Sequence, residues 1–95
     1  MRIYLTEGFS GEPVRVTVNG TQVLDLADVR TNWSVGLAAS ASADVQGRAT
    51  VVVELPGRQL RAEHATQARD DRALLVRVGE NGLEVEEATE PVRFM

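Results

Sequence analysis

Gly36-Leu-Ala-Ala-Ser-Ala-Ser-Ala-Asp-Val45 (GLAASASADV) reads as a tether, a helix or a strand, and the choice decides between one domain and two linked halves. Leu37, Ala39, Ala41, Ala43 and Val45 fall on odd positions, and Ala38, Ser40, Ser42 and Asp44 on even ones. An amphipathic helix needs its apolar residues three and four apart. No such stripe stands out, although alanine favours helix intrinsically. A flexible linker would be richer in Gly and Ser and would not alternate. Period two is the pattern of a half-buried strand. The stretch therefore reads as a strand with small side chains on its inward face. The whole chain, residues 1–95, then reads as a single domain.

The same period runs through most of the sequence. Ile3 and Leu5 alternate with Arg2, Tyr4 and Thr6, and Val14, Val16 and Val18 with Arg15 and Thr17. Val51, Val53 and Leu55 alternate with Thr50, Val52 and Glu54, and Leu60, Ala62 and His64 with Arg61 and Glu63. Leu74, Val76 and Val78 alternate with Leu75 and Arg77, and Leu83 and Val85 with Glu84 and Glu86. Turn chemistry separates these segments. Asn19-Gly20 suits a tight hairpin, because both residues tolerate positive φ. Pro56-Gly57 predicts a type II turn within a slightly longer loop. Glu80-Asn81-Gly82 and Asp70-Asp71 mark two further reversals, and residues 8–13 and 28–33 read as longer crossings.

Strands are expected near 2–6, 13–18, 21–26, 35–45, 49–55, 59–66, 73–78 and 82–87. No segment combines helix caps with helical period. The expected fold is all-β, an antiparallel β-sandwich of about eight short strands without significant helix. A jelly-roll, immunoglobulin-like or transthyretin-like arrangement would each fit that strand count.

Two registers follow from the turns. Pairing Val78 with Leu83 and Val76 with Val85 sets Arg77 opposite Glu84 on an outer face. At Asn19-Gly20 a strict two-residue hairpin leaves Leu24 and Leu26 outside, whereas a bulge turns both inward, and the bulge is the reading adopted.

Composition excludes several kinds of chemistry. There is no cysteine, hence no disulfide, thiolate metal site or cysteine nucleophile. The single histidine, His64, stands near the end of an expected strand, away from any recognisable nucleophile elbow. One histidine without cysteine does not make a usual zinc set. The pairs Asp25 with Asp28 and Asp70 with Asp71 are explained by turns rather than by calcium. No catalytic residue, metal site or cofactor is expected. The net charge of −4 opposes binding to nucleic acid or to anionic membranes. All ten basic residues are arginine. The carboxylates Glu80, Glu84, Glu86, Glu87 and Glu90 read as a solvated edge. Asn19-Gly20-Thr21 and Asn32-Trp33-Ser34 fit the glycosylation pattern, but turn formation accounts for the first and such triplets arise by chance.

No apolar run approaches the roughly 20 residues that span a bilayer, and Glu7 and Glu12 break up the N-terminus as a signal sequence. The expected location is cytoplasmic. Met1 and the ending Pro91-Val-Arg-Phe-Met95 point to a complete small protein.

Two features exceed a plain sandwich. Val52 and Leu75 are apolar at outward positions, with Ala38, Ala65 and Ala73 as small companions. A contiguous apolar patch on a surface marks a contact site. The expected function is thus a non-enzymatic interaction module that self-associates or docks on a protein partner, with Val52 and Leu75 as contact residues. The alternative is a small-molecule or carbohydrate-binding sandwich using Trp33, His64 and the small-residue strand 37–45. The aromatics Tyr4, Phe9, Trp33 and Phe94 are scattered near loops and termini. The plainer reading makes Trp33 and Phe9 plugs at the sandwich ends.

Overall fold

The computed structural model describes residues 1–92. Eight strands follow one another: β1 (Arg2–Leu5), β2 (Ser10–Val18), β3 (Thr21–Arg30), β4 (Ala39–Ser42), β5 (Gly47–Leu55), β6 (Leu60–Ala68), β7 (Arg72–Gly79) and β8 (Gly82–Thr89). They form two four-stranded sheets, in the orders β4-β1-β7-β8 and β3-β2-β5-β6. These are called the β1 sheet and the β2 sheet below. The alternating inward positions meet between them. Ile3, Leu5, Leu74 and Val76 of one sheet and Val14, Val16, Val18, Val51, Val53 and Leu55 of the other are all buried. The chain is thus a β-sandwich, with apolar burial between its layers as the dominant stabilising term. β1 and β2 lie in different sheets, which departs from the immunoglobulin arrangement.

The hairpin registers follow the turn chemistry. Asn19 and Gly20 both have positive φ, and β2 and β3 pair on either side of them. The ladder slips between Val16 and Thr17, so Leu24 comes opposite Val16 and is buried. Leu26 pairs with Val14 on the same side but stands at the sheet edge, 45% exposed, so the bulge buries only one of the two leucines. In the β7–β8 hairpin Val78 meets Leu83, Val76 meets Val85, and Arg77 meets Glu84.

Several details differ from the sequence reading. β1 and β7 pair in parallel, because β1 enters the middle of its sheet and reaches β7 only after a long crossover. Only Ala39–Ser42 of the 35–45 stretch is a strand, since Asn32 to Leu37 closes on itself as a bridged loop. β2 begins at Ser10 and β3 runs to Arg30, so the crossings are shorter than expected. Pro56–Arg58 form a 3-10 turn, and the positive φ falls on Gln59 rather than Gly57. Ala38 packs against the core, and Ala73 is fully buried although its register faces outward. Phe9 joins the core.

The crossing from β1 to β2 is fixed by Gly8. It has φ +90°, and a Cβ there would run into the Val78 carbonyl oxygen. Val78 N donates to Glu7 O, and Thr6 N to Val76 O, so the crossing lies tight against β7.

Candidate functional site

On the outer face of the β1 sheet lies an open groove of about 600 Å³. Its residues come from four places. The crossing after β1 supplies Thr6 and Glu7, β7 supplies Leu75 and Arg77, and β8 supplies Glu84, Val85 and Glu86. The loop between β3 and β4 completes it with Trp33, Val35 and Gly36. Leu75 is flanked in register by Tyr4 on β1 and Glu86 on β8.

Trp33 is 73% exposed, so it does not plug the sandwich end. The loop that presents it is nonetheless well tied. Asn32 N donates to Leu37 O at 2.9 Å, Gly36 N to Asn32 O at 2.8 Å, and Val35 N to Asn32 O at 3.2 Å. Asn32 Oδ1 accepts from both Ser34 N and Ser34 Oγ, at 3.1 and 2.7 Å. This is the side-chain turn that asparagine forms readily with the residue two further on. At the loop's root, buried Thr31 donates its hydroxyl to Thr6 O and accepts from Phe9 N. The asparagine of the Asn32-Trp33-Ser34 triplet therefore shapes the display of Trp33. The indole N–H has no hydrogen-bond partner among the described residues.

The charged groups of the groove are unequally matched. Arg77 Nε lies 2.7 Å from Glu84 Oε2, and Arg77 Nη1 4.0 Å from Glu7 Oε2. The short contact to Glu84 is the main reason the guanidinium holds its proton more firmly than usual. The Glu86 side chain makes no hydrogen bond or close ion pair with a described residue, although its charge adds a minor share to the hold on the Arg77 proton. Three carboxylates against one guanidinium leave the groove with a net charge of −2.

His64 lies elsewhere, on β6, at the seam where β6 of one sheet meets β8 of the other. Its Nε2 is 3.3 Å from Glu87 Oε2 but lacks the alignment of a hydrogen bond. The same carboxylate accepts from Thr66 Oγ1 at 2.5 Å and faces Arg72 Nη1 at 3.2 Å. The Thr66 hydrogen bond above all, with His64 and Arg72 beside it, holds the Glu87 carboxyl below its ordinary range, against the opposing effect of partial burial. This cluster cross-links the sheets. It shares no residue with the Trp33 groove.

Val52 sits on the outer face of the β2 sheet, paired with Thr17 and Glu63 and half-buried. The next row of that face reads Asp25, Arg15, Glu54 and Arg61 across four strands. Val52 and Leu75 thus occupy opposite faces of the sandwich and do not form one patch. The small-residue strand β4 turns Ala39 and Ala41 onto the core, so it does not line the groove either. The contribution of Val35, Glu7 and Glu86 escapes the sequence reading: Val35 shares the Trp33 loop, which reads as part of a crossing and a strand, and only strand order brings Glu7 and Glu86 beside it. Phe94 lies outside the described residues.

Among the described residues no group of three or more His, Asp or Glu side chains could hold a metal ion. No helix among them is long and apolar enough to cross a membrane. No family model, curated protein or solved structure matches this chain.

Proposed function

We propose that this protein is a non-enzymatic interaction module that docks on a protein partner through the outer face of its β1 sheet. The observation that carries the reading is Trp33, held 73% exposed on a tied loop beside a groove that also contains Leu75. Tryptophan is enriched among interface anchors, because its large ring adds much buried area when a partner covers it. Leu75, an expected contact residue, and Trp33, an expected ligand-binding residue, fall in the same groove. Val52 has no such setting, as polar side chains surround it. A saccharide stacked on Trp33 is the second reading, supported by the same exposed ring, without His64 or the 37–45 strand beside it.

Selection of a displayed random-peptide library on the full chain tests the docking reading. Enrichment of a shared motif by the native chain, lost with Leu75→Glu, supports docking at this face. Enrichment unaffected by that substitution, or no enrichment, refutes it. Light scattering after size-exclusion chromatography separates the two forms of docking. A mass near 10.3 kDa fits a different partner, and a dimer fits self-association.

A further inference from the structure

The chemistry of the groove narrows its partner, and the narrowing rests on the docking reading above. Any occupant must cover Leu75 and Val35, which are apolar, and come close to Glu7 and Glu86. A wholly apolar occupant would strip water from those carboxylates and return no hydrogen bond. An anionic one would meet the groove's net charge of −2. A second copy in a two-fold pair would set two such grooves against each other, carboxylate to carboxylate.

A long cationic side chain satisfies each of these conditions. Its methylene stem covers apolar surface while its head stays near charge and water. Cations also favour the face of an indole above other aromatic rings. Arg77 does not fill this role itself, since its guanidinium is already engaged by Glu84 at 2.7 Å. The Glu86 carboxylate, paired in register with Leu75, feels the Arg77 charge only at a distance, and no hydrogen bond or close ion pair to a described residue occupies its oxygens.

We propose that the groove recognises an arginine or lysine side chain on a segment of a different polypeptide. The stem rests on Leu75 and Val35, the cation meets the Trp33 ring, and Glu86 and Glu7 accept its hydrogen bonds. Trp33 and Leu75 supply adhesion, and the two carboxylates supply selection for positive charge.

Trp33 is the only tryptophan in the chain, so its emission reports on this groove alone. The test titrates the full chain with three blocked heptapeptides, acetyl-VTVRVTV-amide and its versions with Gln or Glu at the centre. The arginine peptide should shift or quench the emission and bind about five- to tenfold tighter than the glutamine peptide, as one exposed cation–π contact and one surface ion pair together allow. The preference should shrink with added salt and in Glu86→Gln, whose exposed side chain leaves the fold untouched. Equal binding of all three peptides, or stronger binding of the glutamate peptide, overturns the charge selection while docking at this face stands. Silence of all three up to millimolar concentration overturns the cation proposal as well. The docking reading falls separately, on the library result with Leu75→Glu.

Discussion

The outer faces of the two sheets arise from the same alternating pattern and yet have opposite character. Across the β2 sheet the outward rows are Asp25, Arg15, Glu54 and Arg61, then Thr17, Val52 and Glu63. Charges alternate, and one valine stands alone among polar neighbours. Across the β1 sheet the outward rows are Ser42, Arg2 and Ala73, then Ser40, Tyr4, Leu75 and Glu86, then Arg77 and Glu84. Here Tyr4 and Ala73 are buried even though they face away from the core. The Tyr4 hydroxyl donates to Glu90 Oε1 at 2.7 Å, across 86 positions of sequence. Next to this covered part, the Trp33 loop and Leu75 line the groove together. The β2 sheet is finished by solvent. The β1 sheet is partly finished by its own chain, and the unfinished part is where a partner can add burial.

The largest test of this contrast compares Tyr4 with Val52, one outward residue from each face. Removing a buried aromatic ring costs about 3–5 kcal/mol. Tyr4→Ala should therefore lower stability by that amount, and Val52→Ala by only about 1 kcal/mol, as befits a half-buried surface valine. Urea denaturation gives both values from one experiment. Equal losses would mean that Tyr4 is no better covered than Val52 and that the two outer faces are alike at these positions.

A smaller effect belongs to the seam that holds both faces on one sandwich. The Glu87 carboxyl titrates below its ordinary 4.5 in the folded chain, chiefly because Thr66 donates to it. A lowered folded value means that the ionised carboxylate favours the folded state. Its contribution is fully present above the unfolded value and disappears as pH falls through the folded one. Stability should therefore decline as pH drops below about 4.5, and Glu87→Gln should flatten that decline. The change is modest, because the Glu87 side chain is 38% exposed and water screens its partners. A decline of the same steepness in both proteins would assign the acid sensitivity to other carboxylates.

The strands were legible in the sequence because period two is local and turns carry their own chemistry. The Arg77–Glu84 pairing could be written down from Glu80-Asn81-Gly82 alone, and the inward bulge at Leu24 from the mismatch around Asn19-Gly20. The faces were not legible in the same way. Val52 and Leu75 have equivalent patterns, and only strand order, set by contacts distant in sequence, puts them on opposite sides. Tyr4 alternates with Ile3 and Leu5 and so reads as exposed, until Glu90 is known to reach it. Trp33 offered one local clue. Asn at position 32 with Ser at 34 predicts a self-bonded turn, and in this structure that turn carries the exposed Trp33. The sequon reading of the same three residues concealed that signal.

The smallest expected effect is also the most direct probe of the exposed face. Trp33→Ala should change stability by no more than about 0.5 kcal/mol, since the ring buries little and the turn that carries it is bonded through Asn32 and Ser34. In the native chain the single indole should emit at long wavelength and be quenched freely by acrylamide, as its 73% exposure requires. The contrast with Tyr4 is then complete on one sheet: an aromatic side chain that the fold needs, and another that the fold merely displays. Blue-shifted emission with poor quenching would mean that something already covers Trp33. Combined with a mass above 10.3 kDa, it would make that cover a second copy of the chain, and the groove would belong to self-assembly. Red emission at the mass of one chain leaves Trp33 open beside the half-buried Leu75, which is the state a docking surface must have before its partner arrives.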